Sequence, residues 1–339
     1  MRIAVLGGGS FGTIIANIAA QKETHVVQWM RCAQRAQEIN QLHTNQQYLP
    51  GCQLEPNLVA TCDMQAAVEQ ADLIFVSIPS AHFRSVIAQA SMYIRKGAYI
   101  VSTTKGIEES TFNLMSQILQ EEVPQAEVGV ISGPNLAKEL AQQQLTATVI
   151  ASQHKGLRDC VQNLLHLPYF RLYASDDMYG VELGGTLKNI YAIASGLSSA
   201  LGVGENTKSM LMTRALAEMS RFAVSMGANP LTFLGLAGVG DLIVTCMSPL
   251  SRNYRVGYAI GRGRSLKKAI AELGEVAEGV NTLRIVREKM IELDIYMPLV
   301  QGLYDVVYQG ASVSEVANTL MMSDQGADVE FVLPSPQNF

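Results

Sequence analysis

A chain of 339 residues has room for about two domains. With 48% hydrophobic and 16% charged residues it has ample material for a core, which excludes a disordered chain. The net charge of −5 and the lack of any lysine/arginine cluster argue against nucleic-acid binding. No run of 18 apolar residues is present to span a membrane, and the apolar opening breaks at Gly7, too soon for a signal-peptide core. Five widely spaced cysteines without a C-x-x-C pair read as a reduced, cytoplasmic protein.

In chain order, the expected strands are residues 2–6, 25–29, 58–62, 73–78, 98–103, 128–132, 146–151 and 170–173. Stretches of helical composition, such as 11–21 and 81–94, lie between most of them. Val/Ile-rich runs alternating with helices predict an α/β domain, Rossmann-like, with a mostly parallel sheet buried on both faces. After about Asp177 the texture changes. Residues 179–319 read as successive helices separated by glycine-rich breaks at 202–204, 235–240 and 261–263. The expected organisation is a nucleotide-binding domain over 1–180, an all-helical C-terminal domain over 181–333 and a poorly ordered tail over 334–339.

Gly7-Gly8-Gly9-Ser10-Phe11-Gly12 supplies G-x-G-x-x-G between an apolar strand and a helical run. In that setting Gly7 permits the tight turn, Gly9 lets a pyrophosphate approach the backbone, and Gly12 permits close helix–strand packing. The following helix then points its first N–H groups at the phosphates. The second strand ends in Gln28-Trp29-Met30-Arg31, with no acid to hold a ribose 2′-hydroxyl. Arg31 and Arg35, on one face if a helix begins there, suit a 2′-phosphate instead. NADP is therefore favoured, with NAD tolerated.

Other chemistries are thinned out by absence. There is no P-loop, no G-x-S-x-G elbow and no H-E-x-x-H, and the five histidines show no metal spacing, so no metal site is expected. Two lysines stand in distinctive settings. Lys105 follows a strand in Thr103-Thr104-Lys105-Gly106, at the edge where parallel sheets bind ligands. Lys188 follows the small residues Gly184-Gly185-Thr186 in a helix. In a ketone-reducing site a lysine ammonium can protonate the developing alkoxide. Ser132-Gly133-Pro134-Asn135 offers backbone N–H groups after another strand. Asp241 can orient an ammonium or accept from a substrate hydroxyl. Ser251-Arg252-Asn253 carries hydroxyl, guanidinium and amide donors for a phosphate, or else is a polar loop capping a helix at Ser251.

Taken together, these segments resemble the NAD(P)-dependent glycerol-3-phosphate dehydrogenases of the bacterial biosynthetic type. The likeness runs from Gly7–Gly12 to Glu278-Gly279 and is close in Ser132-Gly133-Pro134, Ala137-Lys138-Glu139, residues 182–193, residues 235–245 and Ser251-Arg252-Asn253. The resemblance implies reversible reduction of dihydroxyacetone phosphate to sn-glycerol 3-phosphate, a phospholipid precursor, by a cytoplasmic homodimer. It implies Lys188 as the proton donor and acceptor. Substrate contacts would be Lys105, Gly133, Lys188, Asp241, Ser251, Arg252 and Asn253. Asn135 stands where the family commonly has Ser or Thr, and its amide keeps the capacity to bond substrate. Cofactor contacts would be Ser10, Phe11, Arg31, Tyr48, Lys105, Ala137, Arg252, Val276 and Glu278, beside Gly7, Gly9 and Gly12.

Two other readings stay open on the sequence. One is a related dehydrogenase acting on a hydroxy acid or sugar acid, whose carboxylate would replace the phosphate. The other is a non-catalytic NADPH-binding sensor, which needs no lysine at position 188.

Overall fold

The Val/Ile-rich runs of the first half become eight strands of one sheet in the computed structural model, which describes residues 1–22, 25–274 and 277–322. Val276 and the expected tail 334–339 lie outside the described residues. The strands are β1 (Ile3–Leu6), β2 (Val26–Trp29), β3 (Leu58–Thr61), β4 (Leu73–Val76), β5 (Tyr99–Ser102), β6 (Glu127–Ser132), β7 (Thr146–Ala151) and β8 (Phe170–Ser175). Their order is β3-β2-β1-β4-β5-β6-β7-β8. All neighbours are parallel except β6 and β7. The first six follow the doubly wound 3-2-1-4-5-6 order, which reverses direction between β1 and β4.

Successive residues of each strand feed opposite faces, as the pleat requires. Ile3, Val5, Leu73 and Phe75 join one buried cluster, and Ala4, Leu6, Ile74 and Val76 join the other. Helices cover these faces: α1 (Ser10–Ala20), α2 (Ala33–Leu42), α3 (Met64–Val68), α4 (Phe83–Ser91), α5 (Met115–Glu122), α6 (Ala137–Ala141) and α7 (Lys155–Leu165).

The second half is helical: α8 (Met178–Ala200), α9 (Glu205–Ser225), α10 (Asp241–Met247), α11 (Arg252–Gly261), α12 (Leu266–Leu273), α13 (Glu278–Glu292), α14 (Pro298–Tyr304) and α15 (Val313–Met322). The chain divides into two units. The first holds Met1–Thr186 with Leu236–Asp241, and the second holds Leu187–Gly235 with the described chain from Leu242 onward. The division falls inside α8. Among the described residues no helix is long and apolar enough to cross a membrane.

One expected break is corrected. The break expected over residues 235–240 narrows to Gly235, whose extended backbone ends the helical turn Pro230–Leu234, and Leu236–Gly240 forms a π-helical turn running directly into α10. Its small residues let the backbone come close to the sheet. Ala237 is buried in a cluster with Val130, Val149, Ala151 and Val181, which draws this turn into the first unit.

Two buried glutamates tie helices together within their units. In the first unit, Glu182 of α8 accepts from the Ser116 N–H (3.0 Å) and hydroxyl at the start of α5. In the second, Glu218 of α9 accepts from the N–H groups of Leu299 (2.6 Å) and Val300 (3.3 Å) in α14 and from the Tyr191 hydroxyl (3.1 Å). Burial pushes both carboxyls up to about 7, against the hydrogen bonds that favour the anion. A folded value above the unfolded one means the folded state holds the proton longer. The contribution of each group to stability is then fully present below about pH 4.5 and is lost as pH rises through 7, by on the order of 3 kcal/mol per group. Urea midpoints measured from pH 5 to 8 should therefore fall more steeply for the native chain than for Glu182→Gln or Glu218→Gln. Parallel pH profiles would show that these carboxyls do not titrate in that window.

Candidate active site

The three first-half loops singled out by sequence all leave the carboxyl edge of the parallel strands: the glycine turn after β1, Thr103–Gly106 after β5 and Ser132–Asn135 after β6. In open α/β sheets that edge, beside the reversal of strand order, is where ligands bind.

The glycine turn has the shape its motif demands. Gly7 sits at φ +127, and a Cβ there would lie 2.1 Å from the Ser77 carbonyl oxygen. A Cβ on Gly12 would meet the Gly7 carbonyl oxygen at 2.4 Å, whereas one on Gly9 would meet nothing within 4 Å. The close contacts press the turn onto the sheet and α1, and Gly9 faces open space. The first helical bond of α1 runs from Thr13 N to Gly9 O, so the Ser10, Phe11 and Gly12 amides precede the ladder. These features fit a dinucleotide pyrophosphate.

The cofactor candidates Ser10, Phe11, Arg31, Tyr48 and Ala137 lie in the same unit as this turn. Ser10 Oγ donates to the Tyr48 carbonyl (2.9 Å), and the Arg35 guanidinium lies 5.0 Å over the Tyr48 ring. Phe11 packs half-buried on the core, as does Ala137 at the start of α6. Arg31 is exposed just after β2. The shared helical face considered for the two arginines is not formed. α2 starts at Ala33 behind Cys32, so Arg31 precedes it and only Arg35 lies in its first turn.

In the same unit, the Lys105 ammonium gathers three acceptors: Asp241 Oδ2 (2.9 Å), Gly133 O (3.2 Å) and Asn135 Oδ1 (3.3 Å). Asp241 is almost fully buried, at 1% exposure, and it takes up the ammonium-orienting role that sequence left open. Asn135 is tied at both ends of its amide, since Nδ2 donates to Thr148 Oγ1 (3.2 Å) and Thr148 in turn donates to Ser132 O (3.0 Å). The loop after Lys105 is clamped by Arg84, which forms paired 2.7 Å bonds to both oxygens of Glu108. Gly185 of α8 lies against this region, its Cβ position 3.6 Å from Lys105 Cε.

The second unit holds Lys188. Its side chain is buried at 4% exposure, and Nζ donates to Thr245 Oγ1 at 2.7 Å. Ser251 caps α11 by accepting from the Tyr254 N–H, the capping role weighed from sequence, and its hydroxyl proton is left to donate elsewhere. Arg252 and Asn253 open that helix, with Arg252 exposed and Asn253 buried. Asn253 Oδ1 accepts from Gly279 N (3.0 Å), and Glu278 is the first residue of α13.

Sequence reasoning did not single out Thr245, Thr148, Asn45 or Gln28. Thr245 carried a usable signal, standing four residues past Asp241 and so on the same face of a helix. Gln28 carried another, as a lone amide in an otherwise apolar strand. Thr148 and Asn45 gave none.

Family-level sequence models describe the same chain in two parts: the N-terminal part of NAD-dependent glycerol-3-phosphate dehydrogenase matches residues 2–158 and the C-terminal part residues 177–318. A glycerol-3-phosphate dehydrogenase, NAD(P)+, from Acinetobacter baylyi is 56% identical over 99% of this chain and 94% of its own. A protein of the same name from Ectopseudomonas mendocina is 56% identical over 97% of each chain. The crystal structure of glycerol-3-phosphate dehydrogenase from Coxiella burnetii superposes with a TM-score of 0.90 at 35% identity, covering 95% of this chain and 99% of that one. With both halves matched and identity above one half over nearly its full length, the chain belongs to the NAD-dependent glycerol-3-phosphate dehydrogenase family.

Proposed function

We propose that this chain catalyses the reversible reduction of dihydroxyacetone phosphate to sn-glycerol 3-phosphate with NADPH or NADH. The observation that carries the reading is the buried Lys188 ammonium held by Thr245, in a chain of this family. When bound, the reduced nicotinamide supplies the hydride that ends on the ketone carbon. Lys188 gives its proton to the oxygen of that carbon, and in the oxidative direction the neutral amine removes it again. The Thr245 hydroxyl fixes the direction of Nζ.

Ser251, Arg252 and Asn253 take the phosphate, because a helix N-terminus with hydroxyl, guanidinium and amide donors matches a dianion. Lys105, with Gly133, Asn135 and Asp241, is assigned to the hydroxyketone end. Gly7, Gly9 and Gly12 with Ser10, Phe11 and Tyr48 hold the dinucleotide, alongside Ala137, Glu278 and Lys105. The exposed Arg31, with no acid after β2, supports a preference for NADP. Residues 1–180 would carry most of the cofactor contacts, and 181–333 the proton donor and the phosphate site. A cytoplasmic homodimer supplying phospholipid synthesis completes the reading.

The test is oxidation of NADPH, and separately of NADH, with dihydroxyacetone phosphate against unphosphorylated dihydroxyacetone at matched concentration. Turnover is expected only with the phosphorylated ketone. Equal rates on both would sink the phosphate assignment, and no turnover with either would sink the reaction.

A further inference from the structure

Beneath the glycine turn lie three fully buried polar side chains, Thr13 of α1, Gln28 of β2 and Asn45, each at 0% exposure. Gln28 Nε2 donates to Gly7 O (2.8 Å) and to Thr13 Oγ1 (3.1 Å). Asn45 Nδ2 donates to Gly8 O (3.1 Å) and to the same Thr13 Oγ1 (2.9 Å). One hydroxyl oxygen thus joins two amides, and each amide holds one carbonyl of the turn. Facing a carbonyl, only the NH2 end of an amide can serve, which settles the orientation of both.

The geometry of the peptide unit gives this arrangement a consequence. In a trans peptide the C=O and the following N–H point in opposite directions. With Gly7 O and Gly8 O held in the protein interior, the N–H groups of Gly8 and Gly9 are aimed outward. Gly9 is the position where a Cβ would meet nothing within 4 Å. Three consecutive glycines without such ties have unusually free backbone dihedrals, and either peptide plane could rotate. Asn45 also starts the turn that presents Tyr48, since its carbonyl accepts from Tyr48 N (3.1 Å) and Leu49 N (2.8 Å). Ser10 Oγ closes the same connection from the other side.

We propose that Gln28, Asn45 and Thr13 are positioning residues for dinucleotide binding, which lock the Gly7–Gly8 and Gly8–Gly9 peptide planes with their N–H groups toward the pyrophosphate. The proposal rests on the dinucleotide reading above. The three side chains act through the backbone and touch no ligand themselves. Preorganisation of this kind acts on affinity, because a loop already in its bound form loses less freedom on binding.

The experiment is a fluorescence titration of the full-length protein with NADPH, accompanied by thermal unfolding and steady-state kinetics. Asn45→Ala and Gln28→Met are expected to raise the Kd for NADPH by about 10–100-fold. At saturating NADPH, kcat and the KM for dihydroxyacetone phosphate should stay within about 2-fold of the native values. Thr13→Val removes the shared acceptor at nearly constant volume, while Thr13→Ser keeps it. The valine variant should weaken NADPH binding about 10-fold, and the serine variant should restore it. This pair decides the matter if an amide variant fails to fold. Native NADPH affinity in a folded Thr13→Val, whatever its Tm, would assign the network to stability alone and overturn the proposal. Failure of the native protein to bind either NADPH or NADH would overturn the dinucleotide reading itself.

Discussion

Lys188→Ala is expected to lower kcat for dihydroxyacetone phosphate reduction by about 10²–10⁴-fold, the range for loss of a positioned general acid. Reduction of a ketone leaves negative charge on oxygen, and a nearby N–H that gives up its proton stabilises that charge in the transition state more than in the ground state. Lys188 is suited to this because its Nζ is fixed by a 2.7 Å bond to Thr245 and its stem is buried. The companion variant Lys188→Arg separates proton transfer from charge. Arginine keeps the cation and its donors but holds its proton too tightly to release it, so kcat should still fall by more than about 10²-fold. NADPH affinity, read by fluorescence, should hardly change in either variant. Native turnover in Lys188→Ala would return the non-catalytic sensor, or another proton donor, to consideration. Near-native turnover in Lys188→Arg alone would reduce Lys188 to an electrostatic role.

Legibility of the fold followed the physics of burial. Strands buried on both faces are continuous apolar runs, and all eight were expected within a residue or two of where they lie. Strand order is a long-range property. Nothing in the run at 146–151 announced that β7 would pair antiparallel with β6. The glycines at 235–240 announced one long break and produced a break at Gly235 followed by a π turn, because glycine permits close packing as readily as it ends a helix.

The site was legible where chemistry depends on residue type at short spacing, and much less so where it depends on partners distant in sequence. The glycine motif and Lys105 lie where parallel-sheet logic puts them. Their hydrogen-bond partners did not show in the sequence. The Lys105–Asp241 bond spans 136 positions and the Lys188–Thr245 bond spans 57. Asn135 illustrates the difference. From sequence it was a substrate donor in place of Ser or Thr. In the structure its carbonyl end faces Lys105 and its amide end faces Thr148, so its first effect is on the lysine. Gln28 and Asn45 make the same point for the cofactor turn. The glycines are visible as a motif, and the side chains that orient them are ordinary amides until the chain is folded.

Gly257→Ala is expected to be the most damaging single-methyl change in the helical unit. A Cβ on Gly257 of α11 would stand 1.9 Å from the carbonyl oxygen of Ile193 in α8, about 1.5 Å short of ordinary contact. The crossing is reciprocal, because a Cβ on Gly196 of α8 would stand 2.0 Å from the Tyr254 carbonyl oxygen. α13 joins at Gly279, whose Cβ position lies 2.4 Å from Asn189 O. Backbone atoms on both sides leave no flexible side chain to yield, so the helices must separate. Overpacking of this kind costs about 3 kcal/mol or more, which corresponds to a fall in Tm of about 10 °C or to loss of soluble protein. Function should suffer beyond stability. α8 carries Lys188, and α11 begins at Arg252 and Asn253 behind its cap Ser251, so separating the helices shifts the proposed proton donor away from the proposed phosphate site. A misplacement of about 1 Å can cost 10²-fold in rate, and kcat of any folded Gly257→Ala should drop by about that factor at a temperature well below its Tm. Gly235→Ala is the control. Its Cβ would meet its nearest neighbour, Thr232 O, at an ordinary 3.4 Å, and its φ of −91 suits any residue. Its Tm should move by less than about 2 °C. Native Tm and kcat in Gly257→Ala would mean that the α8–α11 contact yields easily and does not set the position of Lys188.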